Sequence, residues 1–352
     1  MISKTVRSRA PLRISFAGGG SELSPFVEKF GGEVFASSIG MYAYVTVKII
    51  EDGKSELILT SQESGTTITF DNHGAYFHAD STASNVRLAF ACFQYLTTNV
   101  SLGKSSILIS TNADSPIGSG LGTSSVLTVA IVAALAKIME INLSNSEIFQ
   151  TAYAIEREYL KLHGGRQDHA LGTFGGFGTF RFGAENFLEV DHLELNRDEL
   201  LEIESSLLLV YTGQSRESAN IVGAQIKASK ENLEGINQKF EVLKSQAKIA
   251  RELMTKIDIK GLGELLADSW EVKKSTSPLI SNELIDSYYK LATSNGAYGG
   301  KLCGAGGGGY LLFVAPPEKV RLIADQIKGI GVITHPVELN KSGVEVWLAS
   351  NS

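Results

Sequence analysis

Pro116-Ile117-Gly118-Ser119-Gly120-Leu121-Gly122-Thr123-Ser124-Ser125 is the stretch whose reading decides the fold of this chain. A β-branched segment, 106–110, precedes it. An apolar segment, 126–138, follows and predicts a buried helix over about 123–139. Glycines between a strand and a helix let the backbone turn tightly and bring several N–H groups to one point. The helix N-terminus adds partial positive charge, and together these make a phosphate cradle. The hydroxyls of Thr123, Ser124 and Ser125 can donate to phosphate oxygens or ligate Mg²⁺. No Gly-Lys-Ser/Thr closes the loop, so it is not a Walker A loop. The tripeptide Gly103-Lys104-Ser105 has Thr98 where the leading glycine belongs.

Two more glycine clusters flank this one. Arg9-Ala10-Pro11-Leu12-Arg13-Ile14-Ser15-Phe16-Ala17-Gly18-Gly19-Gly20-Ser21-Glu22 reads as a strand running into a glycine triplet and a carboxylate. The triplet lets a ligand approach the backbone, Arg13 can stabilise a developing anion, and Glu22 can accept hydrogen bonds from hydroxyls. Gly304-Ala305-Gly306-Gly307-Gly308-Gly309 satisfies G-x-G-x-x-G, but a strand-like segment, 310–314, follows it. The dinucleotide fingerprint needs strand, turn and helix in that order, so a dehydrogenase is rejected. A glycine hairpin packed against the phosphate loop remains.

Two acids lie between these clusters. Ser144 and Glu147 have capping-box spacing and Gly164-Gly165 supply a stop, which predicts one helix between them. Ile148, Ala152, Ile155, Tyr159 and Leu162 form its apolar stripe. Glu156 falls beside that stripe, whereas Glu158 faces solvent. A core-facing carboxylate needs a partner, for which a metal ion or a salt bridge serves. Asp168, in Gly165-Arg166-Gln167-Asp168-His169, either caps the turn or is held in a cleft as a general base.

Alternation and β-branched content predict strands over 12–17, 33–39, 42–49, 56–60, 66–70, 177–182 and 187–190, with a helix over 83–95. The polar stretch 196–204 marks a domain boundary, dividing the chain into 1–200 and 201–352. The second unit holds a strand over 207–211 and several amphipathic helices between 217 and 294. A strand at 310–314, a helix at 317–328 and strands at 332–338 and 344–348 follow. Helices are grouped rather than alternating with strands, which predicts an α+β fold.

A net charge of −6 argues against non-specific attraction to nucleic acid or an anionic membrane. Cys92 and Cys303 are far apart and form no C-x-x-C pair, against a disulfide scaffold or a zinc site. Residues 1–11 carry Lys4, Arg7 and Arg9 and lead into no signal-peptide core. No apolar run approaches the ~20 residues of a membrane span. The expectation is a cytoplasmic protein, monomer or homodimer, whose partners are small molecules.

The three glycine motifs occur together and in order, and in this the chain resembles the galactokinase–homoserine kinase–mevalonate kinase–phosphomevalonate kinase (GHMP) superfamily. The motifs are Pro11 to Glu22, Pro116 to Ser125 and Lys301 to Tyr310. The first, with the stretch Thr212-Gly213-Gln214-Ser215-Arg216-Glu217-Ser218, is most similar to heptose 7-phosphate kinases and to the kinase part of fucokinases. The resemblance implies a two-domain α+β fold: an N-terminal ribosomal-protein-S5-like ATP-binding domain and a ferredoxin-like C-terminal domain, with the site between them. It implies that Pro116, Gly118, Ser119, Gly120, Leu121, Gly122, Thr123, Ser124 and Ser125 hold the ATP phosphates, supported by Gly306. It implies Mg²⁺ on Ser125 and Glu156, and Asp168 as the base toward an anomeric sugar hydroxyl whose pKa Arg13 lowers. Gly19, Gly20, Glu22, Asp168 and Arg166 would face the sugar. If that sugar carries its own phosphate, Arg166, Lys161, Arg216 and Arg181 are the basic candidates. Glu22 stands where these kinases usually have Asp, and His169 where Gln is common; both positions would lie on the sugar side. An L-fucose kinase and a catalytically silent sugar and ATP sensor are the alternatives.

Overall fold

The computed structural model describes residues 3–79, 82–213, 218–231 and 235–350. Its N-terminal half is built on strands β1 (Ser3–Ala17), β2 (Gly32–Ile50), β3 (Leu57–Ser61), β4 (Thr66–Phe70), β5 (Ser106–Ala113), β6 (Phe177–Phe182) and β7 (Leu188–His192). Helices α1 (Phe26–Phe30), α2 (Ser84–Thr97), α3 (Thr123–Ile138), α4 (Asn145–Ala154), α5 (Gln167–Phe174) and α6 (Arg197–Ser205) accompany them. The C-terminal half holds strands β8 (Leu207–Tyr211), β9 (Gly299–Leu302), β10 (Tyr310–Val314), β11 (Ile333–Pro336), β12 (Leu339–Asn340) and β13 (Glu345–Leu348). Its helices are α7 (Ser218–Glu231), α8 (Ile236–Thr255), α9 (Ile259–Lys274), α10 (Glu283–Ser294) and α11 (Pro317–Lys328).

The expected α+β class is observed, with two sheets and grouped helices. The first sheet runs β13-β1-β2-β5-β3-β4, with β6, β7 and β12 attached through β2; the second runs β11-β8-β10-β9. β2 organises the first sheet: its opening residues pair with β6, its later ones with β5, and β1 lies along nearly all of it. The sequence reads as two strands broken near Gly40, but the backbone runs through as one. β13 pairs with β1, and β12 with β2, so the chain end returns to the N-terminal sheet. The last strands thus join the first sheet although they fall beyond the expected division at 200. No helix among the described residues is long and apolar enough to cross a membrane.

α3 is the rod that fixes the site. Of its 16 residues only Ser124 and Lys137 escape burial, and it packs on β1, β2, α2, α4 and α5. A helix apolar on all sides gains about 1.5–3 kcal/mol for each Val, Leu or Ile it buries, so its N-terminus is held rigidly. β1 is covered on both faces from Ala10 to Ala17, with register shifts between Pro11 and Arg13 and between Ser15 and Ala17. Such irregularities re-aim side chains, and here they carry β1 into the cleft between the two halves.

Candidate active site

The loop 114–122 connects β5 to α3, and Gly118, Gly120 and Gly122 adopt φ of +83°, +84° and +82°. Gly122 stands at the N-cap of α3, and no side chain caps the helix. Its first N–H groups are therefore available to a ligand. The hairpin 303–309 packs onto the loop: Tyr310 N–H donates to the Ser119 carbonyl at 2.9 Å. A β-carbon on Gly120 would lie 2.6 Å from the Cys303 carbonyl oxygen, and one on Gly304 would lie 2.5 Å from Gly120 Cα. Only glycine lets these two backbones meet.

Arg13 and Asp168 stand beside this loop. Arg13 Nε and Nη2 both reach Asp168 Oδ1, at 2.7 and 2.6 Å, while Nη1 donates to the Gly120 carbonyl at 2.5 Å. Arg13 is 2% exposed and Asp168 23% exposed, so the carboxylate presents its free edge to the cleft. A β-carbon on Gly122 would lie 3.1 Å from Asp168 Cγ, which puts the acid in van der Waals range of the helix start. The short helix α5 holds Asp168 in its first turn and packs on α3.

The expected helix 145–163 departs from the α form after Ala154. Residues Ile155–Tyr159 form a π turn, closed by the Leu160 N–H to Ile155 carbonyl bond of 2.9 Å. Glu156, 1% exposed, accepts from Thr128 Oγ1 at 2.6 Å and Ser125 Oγ at 2.8 Å. Arg157 Nη1 lies 2.9 Å from its Oε2, and His169 Nε2 lies 3.3 Å from the same oxygen. Burial alone would raise the Glu156 carboxyl, but Arg157 and His169, with the Thr128 hydroxyl, outweigh it and hold it well below its ordinary range. Ser125 and Glu156 thus present adjacent oxygen donors at the start of α3. A hydroxyl and a carboxylate suit a hard divalent cation that takes its other ligands from phosphates and water. Among the described residues no cluster of three or more His, Cys, Asp or Glu offers an all-protein metal site.

On the other side of Asp168, Glu22 is buried and doubly held. Gly20 N–H donates to one oxygen at 2.7 Å and Gln167 Nε2 to the other at 2.6 Å. Burial raises its carboxyl, partly offset by the backbone N–H donors. Phe240 and Leu243 of α8 close over Gly20. The resulting cavity has a volume of about 610 Å³ and runs from the phosphate loop past Asp168 to Glu22, Gly19 and Gly20. That is the size of a small-molecule site.

Several expected residues sit elsewhere. The side chains of Ser119 and Leu121 are buried beneath the loop, and Pro116 is off the cavity wall, leaving Gly118, Gly120 and Gly122 to Ser125 on it. Gly306 packs on Ile280, and Gly304 and Ala305 line the cavity instead. Arg166 is removed from the sugar set: it is 4% exposed, paired with Glu28 at 2.8 Å, donates to the Gly183 carbonyl and covers the Tyr153 ring. Arg181 is paired with Glu33, Glu189 and Asp191, and Lys161 is exposed on the loop after the π turn. Arg216 lies outside the described residues, as does most of the stretch 212–218. Two lysines that sequence reasoning missed, Lys273 of α9 and Lys301 of β9, do line the cavity, as do Arg157 and Gln167.

Two family models match the chain: the GHMP kinases N terminal domain over residues 87–176 and the GHMP kinases C terminal domain over 250–332. A Campylobacter jejuni protein described as D-glycero-alpha-D-manno-heptose 7-phosphate kinase is 32% identical over 345 residues, covering 98% of this chain and 99% of that one. The Arabidopsis thaliana bifunctional fucokinase/GDP-fucose pyrophosphorylase is 26% identical over 325 residues, which is 90% of this chain and 30% of that protein. Among solved structures, a D-glycero-D-manno-heptose 1-phosphate kinase from Bacteroides thetaiotaomicron superposes with a TM-score of 0.79 at 26% identity. It covers 98% of this chain and 100% of its own.

Proposed function

The chain belongs to the GHMP kinases and is an ATP-dependent kinase that phosphorylates a sugar hydroxyl, and from that premise we propose that its acceptor is the anomeric hydroxyl of D-glycero-D-manno-heptose 7-phosphate, converted to the 1,7-bisphosphate. The observation that carries the reading is the Arg13–Asp168 pair, standing between an uncapped helix start on one side and the buried Glu22 on the other. The 32% identity to a heptose 7-phosphate kinase along the whole chain supports the choice of sugar.

In this reading the loop N–H groups and the hydroxyls of Thr123 to Ser125 bind the ATP phosphates at the start of α3. Ser125 and Glu156 would hold Mg²⁺, whose charge would offset that of the phosphates. Glu22 and Gln167 receive sugar hydroxyls and turn the anomeric oxygen toward Asp168. Asp168 accepts the hydroxyl proton as the oxygen bonds to the γ-phosphorus and ADP departs. Arg13 fixes the orientation of Asp168 and adds positive charge where the phosphoryl group crosses. Catalysis of this kind is mainly positioning and charge stabilisation.

Coupled ATP turnover with Mg²⁺ tests the proposal, comparing the heptose 7-phosphate with unphosphorylated heptose, L-fucose and galactose. A kcat/KM far higher for the heptose phosphate than for any free sugar, with turnover falling about 10²–10⁴-fold in Asp168→Asn, is expected. Turnover of a free sugar instead discards the acceptor and keeps the kinase. Asp168→Asn at wild-type rate discards the base.

A further inference from the structure

We propose that Lys273 and Lys301 form a second anion subsite in the cleft, separate from the nucleotide cradle, which holds the phosphate monoester that the acceptor itself carries. The inference rests on the acceptor being a sugar phosphate, as read above.

Both side chains come from the C-terminal half, Lys273 from the last turn of α9 and Lys301 from β9, and both line the cavity. Neither ammonium has an acid partner among the described residues. Lys273 Nζ donates to the carbonyls of Leu302 at 3.0 Å and Gly304 at 2.5 Å; Lys301 Nζ donates to the Phe16 carbonyl at 3.2 Å. An ammonium has three donors, so each retains capacity for a further acceptor. Two other cations of the cleft are already committed, Arg13 to Asp168 and Arg157 to Glu156.

Two amines on one cleft wall without a carboxylate partner, Lys301 buried and Lys273 half-buried, are costly, and the cost appears in their titration. Burial first, then the neighbouring Lys301 and Arg13 charges, lower Lys273 to about 7. Burial and Arg13 lower Lys301 to about 8. Glu22 and the buried Cys303 are the titratable groups that act in the opposite direction, and neither restores either lysine to its ordinary value. A phosphate dianion placed between the two ammoniums supplies the missing charge. The ATP phosphates already have the loop N–H groups and the helix start. Glu22, the acid whose field both lysines feel, belongs to the sugar loop, and Phe16, the partner of Lys301, lies on the strand that leads into it.

The test is steady-state turnover of heptose 7-phosphate and of unphosphorylated heptose by the wild type, Lys273→Met, Lys301→Met and Lys273→Arg. Loss of one charge-assisted contact should raise KM for the phosphorylated sugar by about 10- to 100-fold in each Met variant. KM for ATP and kcat/KM for the free heptose should move less than about twofold, and Lys273→Arg should recover part of the loss. Equal losses with both sugars, or a raised KM for ATP, assign the lysines to the transferred phosphoryl group or to packing, and overturn the inference while the acceptor stands. A wild-type enzyme that ignores the phosphorylated sugar overturns the acceptor reading and this inference together. A second readout needs no variant. At pH 8 the phosphate monoester, with its second pKa near 6, is already a dianion, so any proton taken up from the buffer on binding goes onto the protein. Calorimetry of heptose 7-phosphate binding in buffers of different ionisation enthalpy should show uptake of a substantial fraction of a proton, and zero uptake contradicts the subsite.

Discussion

Replacing Glu156 with Gln separates a structural carboxylate from a metal ligand. The side chain is 1% exposed and accepts hydroxyl bonds of 2.6 and 2.8 Å while pairing with Arg157 at 2.9 Å. Hydrogen bonds to a charged group contribute about 1.5–3 kcal/mol and neutral ones about 1, so weakening two of them costs about 1–4 kcal/mol. Leaving the Arg157 guanidinium without its counter-ion brings the total to about 3–5 kcal/mol. Urea unfolding reads this directly, as a fall in the unfolding free energy near neutral pH. The sign of its pH dependence follows from the depressed titration of the folded carboxyl. The stabilisation is complete above the ordinary value of 4.5 and is lost as pH falls below that toward the folded value. The variant should therefore lose less stability than the wild type on acidification. If Ser125 and Glu156 hold Mg²⁺, the half-saturating Mg²⁺ concentration in ATP turnover should also rise by about tenfold or more. A Gln variant that unfolds earlier yet keeps the wild-type Mg²⁺ dependence refutes the metal role and leaves Glu156 as part of the core.

Three further outcomes follow from the same geometry. Gly120→Ala places a methyl against the Cys303 carbonyl at φ +84°, so steady-state kinetics should show KM for ATP raised about tenfold through displacement of the cradle, with a smaller effect on the sugar. Glu22→Gln keeps the shape but weakens the bonds from Gly20 N–H and Gln167; KM for the sugar should rise about tenfold while KM for ATP holds. KM for the phosphorylated sugar should be lowest below pH about 7 on the lysine limb and rise as Lys273 and Lys301 lose their protons, the sign expected when an anion favours the charged amine; the free sugar should show no such limb.

The residues that could be read from sequence are those whose chemistry is contiguous. The phosphate loop announces itself because glycines, hydroxyls and an apolar helix adjoin, and the capping box at Ser144 and Glu147 forms as its spacing requires. Glu156 was legible by periodicity although the helix widens to a π turn there, since the apolar stripe had already fixed its inward side. The π turn, which gives Arg157 access to the same oxygen, has no sequence signature. Arg166 is two residues from Asp168 in sequence, yet nearness in sequence does not bring its side chain to the cavity. Its side chain runs back to Glu28 and Gly183, away from the cavity. α5 has no clear signature in the sequence, because eight residues with an internal glycine carry little helical periodicity. β13 pairs with β1, at the opposite end of the chain, and no local pattern encodes that pairing. Lys273 and Lys301 were invisible for a similar reason: each is an ordinary lysine until β9 and α9 bring it to the carbonyls of the glycine hairpin and of β1.

The most direct test of the account is the position of the new phosphate. Purified enzyme, ATP, Mg²⁺ and D-glycero-D-manno-heptose 7-phosphate should give a second phosphorus resonance coupled to the anomeric proton, with ADP formed in equal amount. The product should be absent on the same timescale with Asp168→Asn. A phosphate coupled to any other sugar proton, or ATP consumed with the sugar unchanged, contradicts the placement of Asp168 at the anomeric oxygen.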